Sequence, residues 1–124
     1  MVTLSDYLLE DIIVILGNTD ILISAYSSTL LYSLFMLPNS AVIEIYPPFW
    51  NEEEYGNYVR NVGLFHILLR TNGQVLPVCK KKPNSRECWM KGMRDRNMTV
   101  SLHDLKVHVF NALTYVKKYK YSQI

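Results

Sequence analysis

The residues best suited to chemistry are a group of hydroxyl-bearing side chains and one carboxylate within the stretch 21–48. Four hydroxyl-bearing residues lie between two short apolar segments: Tyr26, Ser27, Ser28 and Thr29. Where a strand turns into a helix in an α/β protein, free backbone N–H groups can bind phosphate. Glu44 lies inside the next apolar segment, where a carboxylate is costly unless it is paired or contacts a ligand. This spacing predicts a ligand site that combines the turn with Glu44.

The same residues also have a purely structural interpretation. Ser27 and Ser28 would then only cap the helix, and Glu44 would point to solvent at a strand edge. The stretch lacks the glycines of a dinucleotide-binding fingerprint, so spacing alone leaves both interpretations open.

Alternating helix and strand patterns must position these residues. Apolar positions at helical spacing predict helices at 5–16, 30–35, 51–63 and 101–116, with Ser5, Asn51 and Ser101 as N-caps. Short apolar runs predict strands at 21–23, 41–46 and 64–69, a long loop insertion covers 71–99, and the tail 117–124 is expected to be solvated. This order predicts one α/β domain, residues 1–124, with a Rossmann-like parallel sheet and flanking helices.

Composition limits the classes of function. Of 124 residues, 49% are hydrophobic and 19% are charged, which is typical of a globular domain with a core. The net charge of +2 and the lack of a regular basic stripe disfavour nucleic acid as a partner. No apolar run approaches the roughly 20 residues of a membrane span. Two cysteines without a histidine cluster, and the spacing of His103 and His108, disfavour a metal site.

The segment from Ile23 to Pro47 resembles the C-terminal signature of glycosyltransferase family 61. That family includes lumenal O-linked GlcNAc transferases and plant xylan xylosyl- and arabinosyltransferases. Its pattern runs from His-Gly-Ala through a short apolar helix and Phe-Met-Pro-Pro to a strand with a glutamate and a nearby proline. The residues that match in register are Phe35, Met36, Pro38, Val42, Ile43, Glu44 and Pro47.

The resemblance implies the C-terminal, donor-side half of a GT-B glycosyltransferase. It implies a nucleotide sugar, with uridine diphosphate as the expected carrier, and metal-independent transfer of the sugar to a hydroxyl of a protein or polysaccharide. The implied donor-binding residues are Tyr26, Ser27, Ser28, Thr29 and Glu44. An N-terminal acceptor domain is then missing, so we expect this chain to be a fragment, with that domain or a second copy covering its exposed face.

Three positions depart from the family pattern. Tyr26 takes the place of the family's histidine, Ser27 that of its glycine, and Tyr32 that of its asparagine. Glycine allows a phosphate to approach the backbone closely, and histidine can move a proton near neutral pH. We therefore expect no activity from this chain alone and assign no catalytic residue. The alternative is a non-catalytic interaction module derived from the same half-domain.

Features of the later part of the chain indicate a secretory compartment for the parent protein. Cys79 and Cys88 lie in the same predicted loop and are suited to a disulfide, although two free thiols remain the alternative. Asn97 begins an Asn-Met-Thr sequence that could accept an N-linked glycan. Both features, like the family resemblance, fit the lumen of the endoplasmic reticulum or Golgi. Three tyrosines near the end of the chain are suited to stack on sugars or to cover a domain interface: Tyr115, Tyr119 and Tyr121.

Overall fold

The computed structural model describes residues 6–48, 54–71, 76–82, 85–90 and 99–122. In this part of the chain, helices surround a sheet of three parallel strands in the order β1-β2-β3, which confirms the predicted α/β class. The strands are β1 (Ile21–Ala25), β2 (Ala41–Tyr46) and β3 (Phe65–Arg70). The helices are α1 (Leu9–Gly17), a 3₁₀ helix (Ser28–Phe35), α2 (Glu54–Asn61), α3 (Pro77–Lys81), α4 (Arg86–Cys88) and α5 (Leu102–Val116), followed by a π-helical extension (Lys117–Tyr121).

The middle strand β2 is buried on both faces. Ala41 and Ile43 pack with Ala112 and Val116 of α5, and Val42 on the opposite face packs with residues of α1, the 3₁₀ helix and α2. Side chains alternate between the faces of a strand, so a strand covered on both sides must be apolar almost throughout. This is the physical reason for the apolar run that predicted β2 at its observed bounds.

The first helix is shorter and more exposed than its pattern predicts. It begins at Leu9 after an N-cap at Leu8 that has no side-chain cap, and the predicted cap Ser5 lies outside the described residues. Ile12 and Leu16 are buried, whereas the other apolar positions of the predicted stripe are exposed: Leu8, Leu9 and Ile13. A narrow sheet gives this helix only a narrow surface to cover.

The predicted loop insertion 71–99 is partly helical where the structure describes it. Helices α3 and α4 are joined by a disulfide between Cys79 and Cys88, whose Cα atoms are 4.8 Å apart. The hydroxyl oxygen of Ser85 accepts a hydrogen bond of 3.1 Å from the backbone N–H of Cys88. Both cysteines are buried against Tyr46, the last residue of β2, so the bridged segment lies at the carboxyl end of the sheet.

The π-helical extension after α5 is largely exposed, as the sequence predicts for this tail, but two of its residues return to the sheet. The Nζ atom of Lys120 donates hydrogen bonds to Asp20 Oδ1 at 2.7 Å and to Ser40 Oγ at 2.8 Å. The hydroxyl of Tyr121 donates to the same Asp20 oxygen at 2.6 Å. Asp20 immediately precedes β1 and Ser40 immediately precedes β2, so these bonds connect the extension to the amino ends of the two strands.

The substitution Asp20→Asn tests the contact of Asp20 with Lys120 and Tyr121. The hydrogen bonds from Lys120 and Tyr121 lower the pKa of Asp20 below its ordinary value of 3.8. A lowered carboxyl pKa stabilises the fold above that ordinary value, and the stabilisation is lost as pH falls through the folded-state pKa. With the Asp20 side chain 41% exposed and screened by solvent, we expect Asp20→Asn to lower the free energy of unfolding at pH 7 by under about 1 kcal/mol.

The difference between wild type and Asp20→Asn should shrink as pH falls below the ordinary carboxyl range, and urea denaturation at several pH values measures it. Asp6→Asn, at an exposed position before α1, is the matched control. A difference between wild type and Asp20→Asn that stays constant down to the acid limit would contradict the assignment.

Candidate functional site

The turn predicted to bind a ligand lies at the carboxyl end of β1. The backbone N–H of Tyr26 donates a hydrogen bond of 2.9 Å to the carbonyl oxygen of Ile45, which fixes the turn beside the end of β2. Tyr26 and Ser27 are half-buried, and Ser28 is exposed at the start of the 3₁₀ helix. The side chain of Thr29 lies outside the described part of the structure.

An aromatic cluster, formed by Tyr26, Tyr46, Tyr55 and Trp89, lies at this end of the sheet. The ring of Tyr26 is central, with ring centroids 5.3 Å from Tyr46, 5.1 Å from Tyr55 and 5.4 Å from Trp89. Trp89 directly follows the disulfide-bonded Cys88. The bridged segment therefore supplies one side of the cluster and the turn after β1 supplies its centre.

Glu44 is fully buried in the middle strand, so the interpretation in which it points to solvent at a strand edge is wrong. Its Oε1 atom lies 2.7 Å from Nε2 of His66, whose side chain is 2% exposed. Glu44 projects from the same face of β2 as Val42 and Tyr46. His66 of β3 pairs with Val42 in the register of the two strands, so it lies on that same face. The carboxylate therefore has a partner on the neighbouring strand.

The hydrogen bond from Arg60 indicates which ring nitrogen of His66 is the acceptor. Its Nη1 atom lies 2.9 Å from Nδ1 of His66, and its Nη2 atom donates to Oδ1 of Asn57. A guanidinium has only donors, so Nδ1 of His66 must accept. The proton of the neutral ring is then on Nε2, which donates to Glu44. We call Asn57, Arg60, His66 and Glu44 the Glu44 network; it runs from the exposed side of α2 to the buried carboxylate.

Helix α2 approaches this histidine at a glycine. A Cβ atom built on Gly56 would lie 2.8 Å from Cε1 of His66, closer than carbon atoms of side chains normally come. Because hydrogen bonds hold the ring at both nitrogens, it has little freedom to move aside. The absence of a side chain at Gly56 is therefore what lets α2 cover the Glu44 network.

The carboxylate of Glu44 is only half satisfied. Among the described residues, its Oε2 atom is buried and has no hydrogen-bond partner, a property it shares with Oγ of Ser33. Buried polar atoms are nearly always paired, and an unpaired carboxylate oxygen is among the most costly exceptions. A donor from a ligand or a water molecule would complete the site.

Sequence reasoning found Glu44 but not its partners. These partners are His66, which is hydrogen-bonded at both ring nitrogens, and Arg60 beyond it. A usable signal was present, because a carboxylate inside a parallel strand needs a partner on an adjacent strand. Arg60 carried no signal in the sequence, since its role depends on how α2 lies across the sheet.

The remaining predicted site residues do not join this network. Cys79 and Cys88 form the disulfide beneath the aromatic cluster, and Asn97 lies outside the described residues. Within the described ranges, no group of three or more His, Cys, Asp or Glu side chains could hold a metal ion. No helix in those ranges is both long enough and apolar enough to cross a membrane.

Comparison with known proteins does not place the chain in a family. No protein-family model matches it, and no curated protein sequence matches it.

Replacing Gly56→Ala tests the close approach of α2 to His66. Alanine normally stabilises a helix interior by up to about 1 kcal/mol relative to glycine. Here the added methyl group overpacks the His66 ring, at a typical cost of about 1–3 kcal/mol. We therefore expect a lower midpoint of urea denaturation for Gly56→Ala.

Gly17→Ala is the matched control, because a Cβ at that position would lie 3.8 Å from its nearest neighbour, the carbonyl oxygen of Phe35. The control should be neutral or stabilising. Stabilisation by Gly56→Ala as large as that by Gly17→Ala would contradict the close contact.

Proposed function

We propose that this chain is the donor-side domain of a glycosyltransferase-like protein. In this proposal the fold is Rossmann-like and corresponds to the C-terminal half of a GT-B enzyme. The carboxyl ends of β1 and β2 bind the nucleotide part of a nucleotide sugar, and the chain transfers no sugar by itself.

The position of the turn supports a ligand at this edge. In open parallel sheets, ligands bind beyond the carboxyl ends of the strands, where the connections to the following helices begin. Tyr26 and Ser27 occupy such a connection, and Ser24 faces Glu44 in the register of β1 and β2. The turn that the sequence predicted to act with Glu44 therefore follows β1, the strand that pairs with the strand of Glu44.

The single observation that carries the proposal is the unpaired Oε2 atom of Glu44. Oε1 is already occupied by His66, so Oε2 is the atom that remains for an incoming donor. The hydroxyls of a ribose are donors of the right kind, and a hydrogen bond to a charged carboxylate is stronger than one between neutral groups. Glu44 is also the position at which the sequence resembles the family's glutamate.

The aromatic cluster lies where a nucleotide would bind. Tyr46, the last residue of β2, is fully buried within the cluster, and Tyr26, directly after β1, is half-buried there. In this proposal the nucleotide binds beside Tyr26, whose ring centroid is 5.4 Å from that of Trp89. Binding should therefore change the environment of Trp89.

In this proposal the chain does not transfer the sugar, because its three histidines lie away from the turn at Tyr26. His66 uses both ring nitrogens within the Glu44 network. His103 and His108 lie on α5, which covers the opposite face of the sheet. Tyr26, at the position of the family's histidine, carries a phenol that does not take up a proton near neutral pH.

Titration with uridine diphosphate tests the proposal. The sequence has two tryptophans, so a Trp50→Phe background leaves Trp89 as the reporter. We expect a saturable change in Trp89 fluorescence with a dissociation constant below about 1 mM. Glu44→Gln should weaken binding about tenfold, because an amide oxygen is a weaker hydrogen-bond acceptor than a carboxylate oxygen, while the change keeps an oxygen for His66.

Glu10→Gln on the exposed side of α1 is the matched control and should bind like the parent chain. Urea denaturation of each variant verifies that it is folded. The absence of a saturable change at millimolar uridine diphosphate would refute nucleotide binding.

The second candidate function, a non-catalytic interaction module, is favoured by a different observation. In the described part of the chain β1 is an edge strand. Helix α5 covers one face of the sheet at β2 and β3, and on that same face Ile23 of β1 is 46% exposed. Phe110 of α5 is 69% exposed. Exposed apolar surface of this kind is typical of protein interfaces. A folded chain that does not bind uridine diphosphate would favour this function.

A further inference from the structure

A second candidate site lies at the opposite end of the sheet from Glu44. A cleft of about 490 Å³ opens where the end of α1, the amino ends of β1 and β2 and the π-helical extension meet. We call it the amino-end cleft; its polar and aromatic lining consists of Asn18, Asp20, Asn39, Tyr119, Lys120 and Tyr121. This volume lies within the range of roughly 300–1,000 Å³ typical of small-molecule sites.

The two charges in the lining of the cleft neutralise each other. Lys120 and Asp20 form an ion pair of 2.7 Å, and the Lys120 side chain is only 10% exposed. An ammonium group has three N–H donors. Two of them bond Asp20 and Ser40, and Nζ also lies 5.6 Å from the centroid of the Tyr121 ring, so the third N–H is the one a ligand at this ring would meet. A cleft with no net charge favours a neutral ligand over a phosphate or another anion.

Two amide side chains in the lining are each anchored at one end. Nδ2 of Asn18 donates to the carbonyl oxygen of Val14 at 2.8 Å, and Oδ1 of Asn39 accepts from the hydroxyl of Tyr115 at 3.4 Å. An amide has both a carbonyl acceptor and an NH₂ donor. Asn18 therefore keeps its acceptor and Asn39 keeps its donor group for a ligand.

Two tyrosine rings complete the cleft. Tyr119 is 39% exposed and Tyr121 is 48% exposed. The faces of aromatic rings carry negative charge density and attract weakly positive C–H groups. A pyranose ring presents C–H groups on its faces and, at its rim, hydroxyls that both donate and accept.

We propose that the amino-end cleft binds a pyranose ring of a neutral saccharide. In this arrangement Asp20 and Asn18 accept from sugar hydroxyls, Lys120 and Asn39 donate to them, and Tyr121 contacts the C–H face. The site is independent of the nucleotide site, because it lies at the other end of the strands and shares no residue with the Glu44 network.

Chemical-shift mapping of the ¹⁵N-labelled chain tests the site directly. The probes are the methyl glycosides of glucose, galactose and mannose, with inorganic phosphate and cyclohexanol as separate titrations. We expect at least one glycoside to give saturable shifts confined to residues 17–20, 37–39 and 119–121, with smaller effects from cyclohexanol and phosphate. Binding of phosphate alone, shifts that lie elsewhere or no saturable shift would overturn the proposal.

Variants at Tyr121 separate the contact with the ring from its hydroxyl. Tyr121→Leu should weaken glycoside binding at least fivefold, whereas Tyr121→Phe, which loses only the bond to Asp20, should weaken it less. Tyr32→Leu is the matched control at an exposed tyrosine of the 3₁₀ helix and should leave binding unchanged. Equal affinities of Tyr121→Leu and the wild type would overturn the proposed role of the ring. Glu44→Gln should also bind the glycoside normally, which distinguishes failure here from failure of nucleotide binding.

Discussion

The hydrogen bond between Glu44 and His66 is the interaction on which the arrangement of the sheet and α2 depends. It joins a buried carboxylate of the middle strand to a histidine of β3, and Arg60 of α2 holds that histidine from the other side. Burying a carboxylate is expensive, and removing the partner of a buried charge typically costs about 3–5 kcal/mol. The bond therefore joins β2 to β3 and, through Arg60, holds α2 against β3. Where α2 meets His66, only a residue without a side chain fits, and that residue is Gly56.

Different elements cover the two ends of the sheet, and one proposed site lies at each end. At the carboxyl end, the aromatic cluster and the disulfide-bonded segment cover the last residue of β2. At the amino end, Lys120 and Tyr121 bond Asp20 and leave an open cleft beside them. Aromatic rings therefore pack at the carboxyl end, whereas the amino end has an open cleft.

Local patterns predicted the parts of the fold that depend on local physics. The apolar run 41–46 gave the bounds of β2, and Ser101 caps α5 as predicted by accepting from the N–H of Asp104. The Lys120–Asp20 bond was not predictable in this way, because the partners are 100 positions apart and neither belongs to a periodic pattern. The burial of Glu44 was recognised as costly, but the identity of its partner depends on strand register, which one sequence does not encode locally.

A double-mutant cycle between Glu44 and His66 tests the central interaction most directly. The chains to compare by urea denaturation at pH 7 are the wild type, Glu44→Leu, His66→Leu and the double variant. The account predicts that the double variant loses less stability than the sum of the single variants, by at least about 1 kcal/mol. Single effects that add to within about 0.5 kcal/mol would show that the two side chains do not interact and would contradict the account.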